Sequence, residues 1–149
     1  MFRFFRIKYV RRRAYTHSRR LYLAHKESAR ALVSERLTYF NQHYGLPLGK
    51  VSIRNQKSRW GSCSKKGNLN FNYKLVFLAP ELRDYVIVHE ICHVKEFNHG
   101  QGFWDLVAQK VPEHRTMRHK LRKVVLDQRQ ILQTETSRPN FLQPQILQK

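Results

Sequence analysis

The chain has 149 residues, 41% of them hydrophobic and 12% aromatic, which suits one folded domain with a modest core and excludes a disordered chain. Lys and Arg number 29 against 10 Asp and Glu, a formal net charge of +19; such a field attracts polyanions but does not define a site. Two cysteines, Cys63 and Cys92, are too few for a disulfide scaffold and point to a reducing, cytoplasmic setting, and no run approaches the roughly 18 apolar residues of a membrane span.

Residues 1–24 are dense in Arg and Tyr, with Arg11-Arg12-Arg13 and Arg19-Arg20, and read as an extended or partly ordered basic arm. From His25 to Tyr44, Ala29, Leu32, Val33, Leu37 and Phe40 recur at three- and four-residue steps, the pattern of an amphipathic helix ending near Gly45. Pro47 and Gly49 mark a turn, and Val51-Ser52-Ile53 reads as a short strand. Trp60 to Gly67 is loop-like, whereas Leu69 to Tyr73 alternates apolar and polar residues like a half-buried strand.

Ala79-Pro80-Glu81 opens the next helix, since Pro is tolerated in the first turn and an acidic group suits the positive helix end. Its residues Tyr85, Val86, Ile87, Val88, Ile91 and Cys92 predict burial on most sides. Another helix starts near Gln101 with Phe103, Trp104, Leu106 and Val107, and one more follows Pro112, over Met117 to Leu132. The polar tail from Gln133, with Pro139 and Pro144, is expected to be disordered. These elements make an α+β chain whose folded part is residues 25–132.

The informative stretch is His89-Glu90-Ile91-Cys92-His93. Residues four apart lie on one helix face, so both imidazoles can reach one ion, and Glu90 follows the first ligand closely enough to serve as a general base. Titratable groups in so apolar a helix are costly to bury unless paired or bound to a metal. A catalytic zinc typically takes three protein ligands. His99 is the candidate third, but a continued helix would carry it roughly 120° off the ligand face. The chain is therefore expected to leave the helix near Phe97 and fold back through Asn98 and Gly100; otherwise His99 is a cap and a more distant group binds the ion.

Three motifs in order, Lys57-Ser58-Arg59-Trp60-Gly61-Ser62-Cys63-Ser64, the segment Asp84 to His93, and Asn98-His99 with Phe103-Trp104, resemble the YgjP-like zinc peptidase family, related to the SprT-like metallopeptidases. The resemblance spans about Val51 to Leu121 and departs from it at Gly100, where relatives usually carry Ser. It implies a zincin-type fold, a small sheet packed on the active-site helix with flanking helices. It also implies one catalytic Zn2+ held by His89, His93 and His99, with Glu90 as catalytic base in peptide hydrolysis.

Leu69 to Tyr73 is a candidate edge strand for an extended peptide substrate, and Tyr73, Tyr85 and Arg59 are chemically able to stabilise an oxyanion. A competing reading is a nucleic-acid-associated protein whose structural zinc takes a fourth ligand, such as Cys63. A third combines the two: SprT-like relatives act on proteins attached to DNA, and the basic arm would recruit a peptidase to such complexes.

Overall fold

The computed structural model describes the backbone of residues 3–134 and the side chains of residues 18–124. Its elements are α1 (Arg3–Tyr44), β1 (Val51–Arg54), β2 (Gly61–Cys63), β3 (Leu69–Asn72), a 3-10 turn over Tyr73–Phe77, α2 (Pro80–Cys92), α3 (Gln101–Ala108) and α4 (His114–Thr134).

Helix α1 is longer than its apolar pattern indicates. The stretch expected as an extended arm is helical from Arg3 onward and continuous with the amphipathic segment. Leu21 and Tyr22 already pack against the core, and the Tyr22 hydroxyl donates to the Ile53 carbonyl at 3.0 Å, tying the helix to β1. Beyond Leu21 the expected face is buried: Ala29, Val33, Leu37 and Phe40 are all in the core. The helix stops where Gly45 takes a φ of +59° and donates its N–H to the Asn41 carbonyl. A side chain would be strained in that left-handed conformation.

The sheet has three strands in the order β1-β3-β2. β1 runs parallel to β3, with Ile53 opposite Phe71, and β2 is antiparallel to β3, with Ser62 opposite Asn70. Two expectations are corrected here. Residues 60–67 are not all loop, because Gly61–Cys63 form β2. Leu69 to Tyr73 is not an edge strand: β3 is central, which accounts for the burial of Leu69, Phe71 and Asn72. Asn72 also anchors the loop ahead of β2, its side-chain amide donating to the carbonyls of Gln56 and Arg59 at 2.8 and 2.9 Å.

Helix α2 begins with Pro80 in its first turn and is buried along nearly its whole length, as its composition requires. It is clamped to α1 by a two-pronged ion pair, Arg36 Nε to Asp84 Oδ1 and Arg36 Nη2 to Asp84 Oδ2, both 2.8 Å. The core therefore lies between α1, the sheet and α2, with α3 and α4 closing the far side of α2. No described helix is long and apolar enough to cross a membrane. The tail from 135 onward lies outside the described residues.

Candidate active site

Helix α2 carries His89 and Glu90 in its last turn and ends at Cys92, with His93 as the C-cap. The chain then tightens, Val94 N–H bonding Ile91 O and Glu96 N–H bonding Cys92 O, both at 2.9 Å. The helix thus ends about one turn before Phe97, the expected point, which leaves Val94 to Asn98 to make the reversal. His99 returns to the helix end: its Nε2 lies 3.1 Å from His89 Nε2, while His93 Nε2 lies 3.2 Å from the same atom.

Three imidazole nitrogens meeting tip to tip are not a self-sufficient hydrogen-bond group. His93 Nδ1 is 3.0 Å from the Glu96 carbonyl, which only accepts, so the ring proton sits on Nδ1 and its neutral form turns a lone pair toward the cluster. One N–H on His89 Nε2 can serve only one neighbour, and His89 Nδ1 is buried without a hydrogen-bond partner. A cation at the convergence satisfies all three nitrogens together. Zinc–nitrogen bonds of about 2.0–2.1 Å with near-tetrahedral angles set ligand nitrogens roughly 3.3 Å apart, close to the spacing found. Burial, then the neighbouring His93, His99 and Arg118, push His89 down to about 3, and burial lowers His93 and His99 also. Burial thus favours the neutral, ligating form of all three rings. Among the described residues no fourth His, Cys, Asp or Glu joins this group.

Glu90 is buried, at 6% exposure, and its Oε2 has no hydrogen-bond partner. Burial pushes its carboxyl up to about 8, against the opposing pull of the Arg59 guanidinium. The side chain lies against β2, where a Cβ on Gly61 would come within 2.6 Å of both Glu90 Cγ and Oε1. Cys63, on the same strand, is half-buried and its Sγ bonds the Ser64 carbonyl; its thiol is raised by burial and by Glu90. Of the three groups considered for an oxyanion, Tyr85 places its ring 5.8 Å from that of His89, and the Arg59 guanidinium acts on Glu90. Tyr73 is buried and meets Tyr22 and Phe77.

Aromatic rings pack against the three histidines and hold them in place. Phe103 is fully buried and stacks on His93 at 4.5 Å. The Trp104 indole N–H donates to the His99 carbonyl at 3.1 Å, and His114 stacks on the Trp104 ring at 5.1 Å. Arg118, also on α4, stands 5.4 Å over the same indole. Sequence reasoning missed Gly61, His114 and Arg118. Gly61 sat inside a recognised motif without a stated reason, and Arg118 is one cation among many, with no local pattern to single it out.

This arrangement, an H-E-x-x-H helix end with a third histidine folded back over it on a small α+β scaffold, is that of a zincin-like metallopeptidase. A model of the YgjP-like metallopeptidase domain matches residues 6–124, and the chain belongs to that family, whose cofactor is zinc. Among solved structures, it is similar to the metallopeptidase zymogen abylysin of Pyrococcus abyssi at 25% identity and a TM-score of 0.55, covering 60% of this chain and 90% of that one. The metallopeptidase zymogen jannalysin of Methanocaldococcus jannaschii shares the fold at 22% identity and a TM-score of 0.55, covering 62% and 96%. No curated protein matches the chain.

Proposed function

We propose that this metallopeptidase holds its single zinc ion through Nε2 of His89, His93 and His99 and uses Glu90 as general base. The observation that carries the reading is the convergence of the three Nε2 atoms, 3.1 and 3.2 Å from that of His89, with no fourth protein donor in the group among the described residues. Three ligands and an open position suit a catalytic rather than a structural zinc. When bound, the metal supplies a Lewis acid that polarises the scissile carbonyl and acidifies water.

The chain's own residues do the rest. Glu90 takes the proton of the attacking water and gives it to the leaving amine. Its raised affinity for a proton, from burial, suits that transfer, and a cation beside it keeps it ionised beforehand. The substrate pairs as an extended strand with β2, the sheet edge that carries Gly61 against Glu90, rather than with β3. Tyr85 is the candidate second donor to the oxyanion. The nucleic-acid reading rests on the +19 net charge alone.

The test is elemental analysis and casein proteolysis on the wild type, His99→Ala and Glu90→Gln. Stoichiometric zinc in the wild type, its loss from His99→Ala, and retention without activity in Glu90→Gln are expected. Zinc retained by His99→Ala would remove His99 from the ligand set; undiminished proteolysis by Glu90→Gln would remove the general base.

A further inference from the structure

Helices α3 and α4 enclose a solvent-open cavity of about 190 Å3 lined by Gln101, Trp104, Asp105, His114, Arg115 and Arg118. It adjoins His89 and His99 across a single side chain, that of Trp104. The Trp104 ring lies 5.6 Å from that of His99 and 6.1 Å from that of His89, and the Arg118 guanidinium stands 5.4 Å over the same indole. His114, buried to 9% exposure, stacks on Trp104 nearly parallel to it, which keeps the indole from turning.

Two cations here have no ion-pair partner among the described residues. The ion pairs among the described residues are Arg30–Glu27 and Arg36–Asp84, so neither Arg115 nor Arg118 is in one. Asp105 is the carboxylate in the lining, and its Oδ1 accepts from the Gln101 amide at 2.7 Å. Two guanidinium groups against one carboxylate leave the cavity positive, in a chain whose field is already strongly positive. A guanidinium lying on an aromatic face keeps its N–H edge free for a planar two-point contact with a carboxylate.

We propose that this cavity is a carboxylate subsite of the peptide substrate, which Arg118 grips with Arg115 beside it. The ligand is an acidic side chain or a free C-terminal carboxylate near the scissile bond; lysine and arginine side chains are repelled. The inference rests on the peptidase reading for its substrate class, but not on any role of Glu90.

Binding is measured apart from turnover, by fluorescence anisotropy of labelled decapeptides titrated into zinc-loaded Glu90→Gln protein. The peptides share one composition apart from a single Glu or Gln at each position in turn, with the C-terminus free or amidated. The carboxylate forms are expected to bind about tenfold more tightly at one placement, as a charged hydrogen-bonded contact allows. The placement identifies the source of the carboxylate, internal or terminal. Adding Arg118→Met should erase the preference, and Arg118→Lys should restore part of it. Equal binding of all the peptides, or a preference that survives Arg118→Met, would overturn the proposal. Turnover of the same peptides by the wild type reports separately: a carboxylate preference without cleavage would count against the peptidase mechanism and leave the subsite standing.

Discussion

Gly61 and Glu90 are in such close contact that a side chain at position 61 would force the glutamate to shift: an added Cβ would stand 2.6 Å from its Oε1 and Cγ. The constraint is one of space and not of backbone, since Gly61 is not among the glycines with positive φ. Glu90 is buried, so it has little room to swing aside, and the carboxylate proposed as the base is positioned by the absence of a side chain on the neighbouring strand.

Gly61→Ala should therefore displace the Glu90 carboxylate without touching a metal ligand. A misplaced general base forfeits much of the roughly 10²–10⁴-fold that such a group contributes. We expect kcat/KM to fall about 100-fold with zinc content unchanged, measured on the same samples by peptide hydrolysis and elemental analysis. Full activity in a folded Gly61→Ala protein would show that Glu90 tolerates the shift.

Trp104 holds His99, the proposed third ligand, through a hydrogen bond from its indole to the His99 carbonyl. Trp104→Phe keeps an aromatic ring against His99 and deletes the N–H. Groups that orient metal ligands are worth about 10–100-fold in affinity, so zinc binding, followed by competition with a chromogenic chelator, should weaken about tenfold. Unaltered affinity would mean that Asn98 to Gly100 hold the loop without help.

The Arg36–Asp84 pair joins α1 to α2 at some distance from the chemistry, with both side chains about a quarter exposed. Its two 2.8 Å contacts are the geometry in which ion pairs contribute most. Asp84→Asn keeps the shape and removes the charge; a loss of about 1.5 kcal/mol in urea unfolding is expected, the low end for hydrogen bonds to charged groups. Zinc content should not change. An equally stable variant would place the α1–α2 contact wholly in the apolar packing of Val33, Leu37 and Phe40.

Much of this architecture could be read from the sequence because it rests on local patterns. The apolar residues of 25–44 recur at helical period, Pro80 marks the start of α2, and His89 and His93 are four apart on one turn. The requirement that the chain reverse before His99 followed from helix geometry alone, although the reversal comes earlier than Phe97. What could not be read depends on contacts between distant segments. β2 is three residues of Gly-Ser-Cys with no alternation, and it exists because Asn70 and Phe71 of β3 offer partners. The central place of β3 depends on β1 and β2 flanking it, which no single strand reveals. Arg118 acquires meaning only from Trp104 beneath it. The helical form of residues 3–24 is hard to read because Ile7, Val10, Ala14 and Leu21, though at helical steps, are interrupted by Arg11-Arg12-Arg13 and Arg19-Arg20.

Glu90 and His89 tie the stability of the metal-free protein to pH in opposite directions. The Glu90 carboxyl moves from 4.5 up to about 8 on folding, so between those values the folded chain binds more protons than the unfolded one. Its contribution is complete below 4.5 and is lost as pH rises to 8, at a slope of up to roughly 1.4 kcal/mol per pH unit. His89 moves from 6.5 down to about 3, so the unfolded chain binds more protons in that interval and stability falls as pH falls below 6.5. The slopes oppose each other between 4.5 and 6.5, and the metal-free protein should be most stable there. Chelator-treated wild type should therefore show a urea midpoint that declines from pH 6.5 to 8, and Glu90→Gln, which has no proton to lose, should not. Zinc should flatten the same limb in the wild type, because a divalent cation beside Glu90 favours its ionised form. A decline of equal steepness in Glu90→Gln would assign the alkaline loss to another group and leave Glu90 ionised in the metal-free fold.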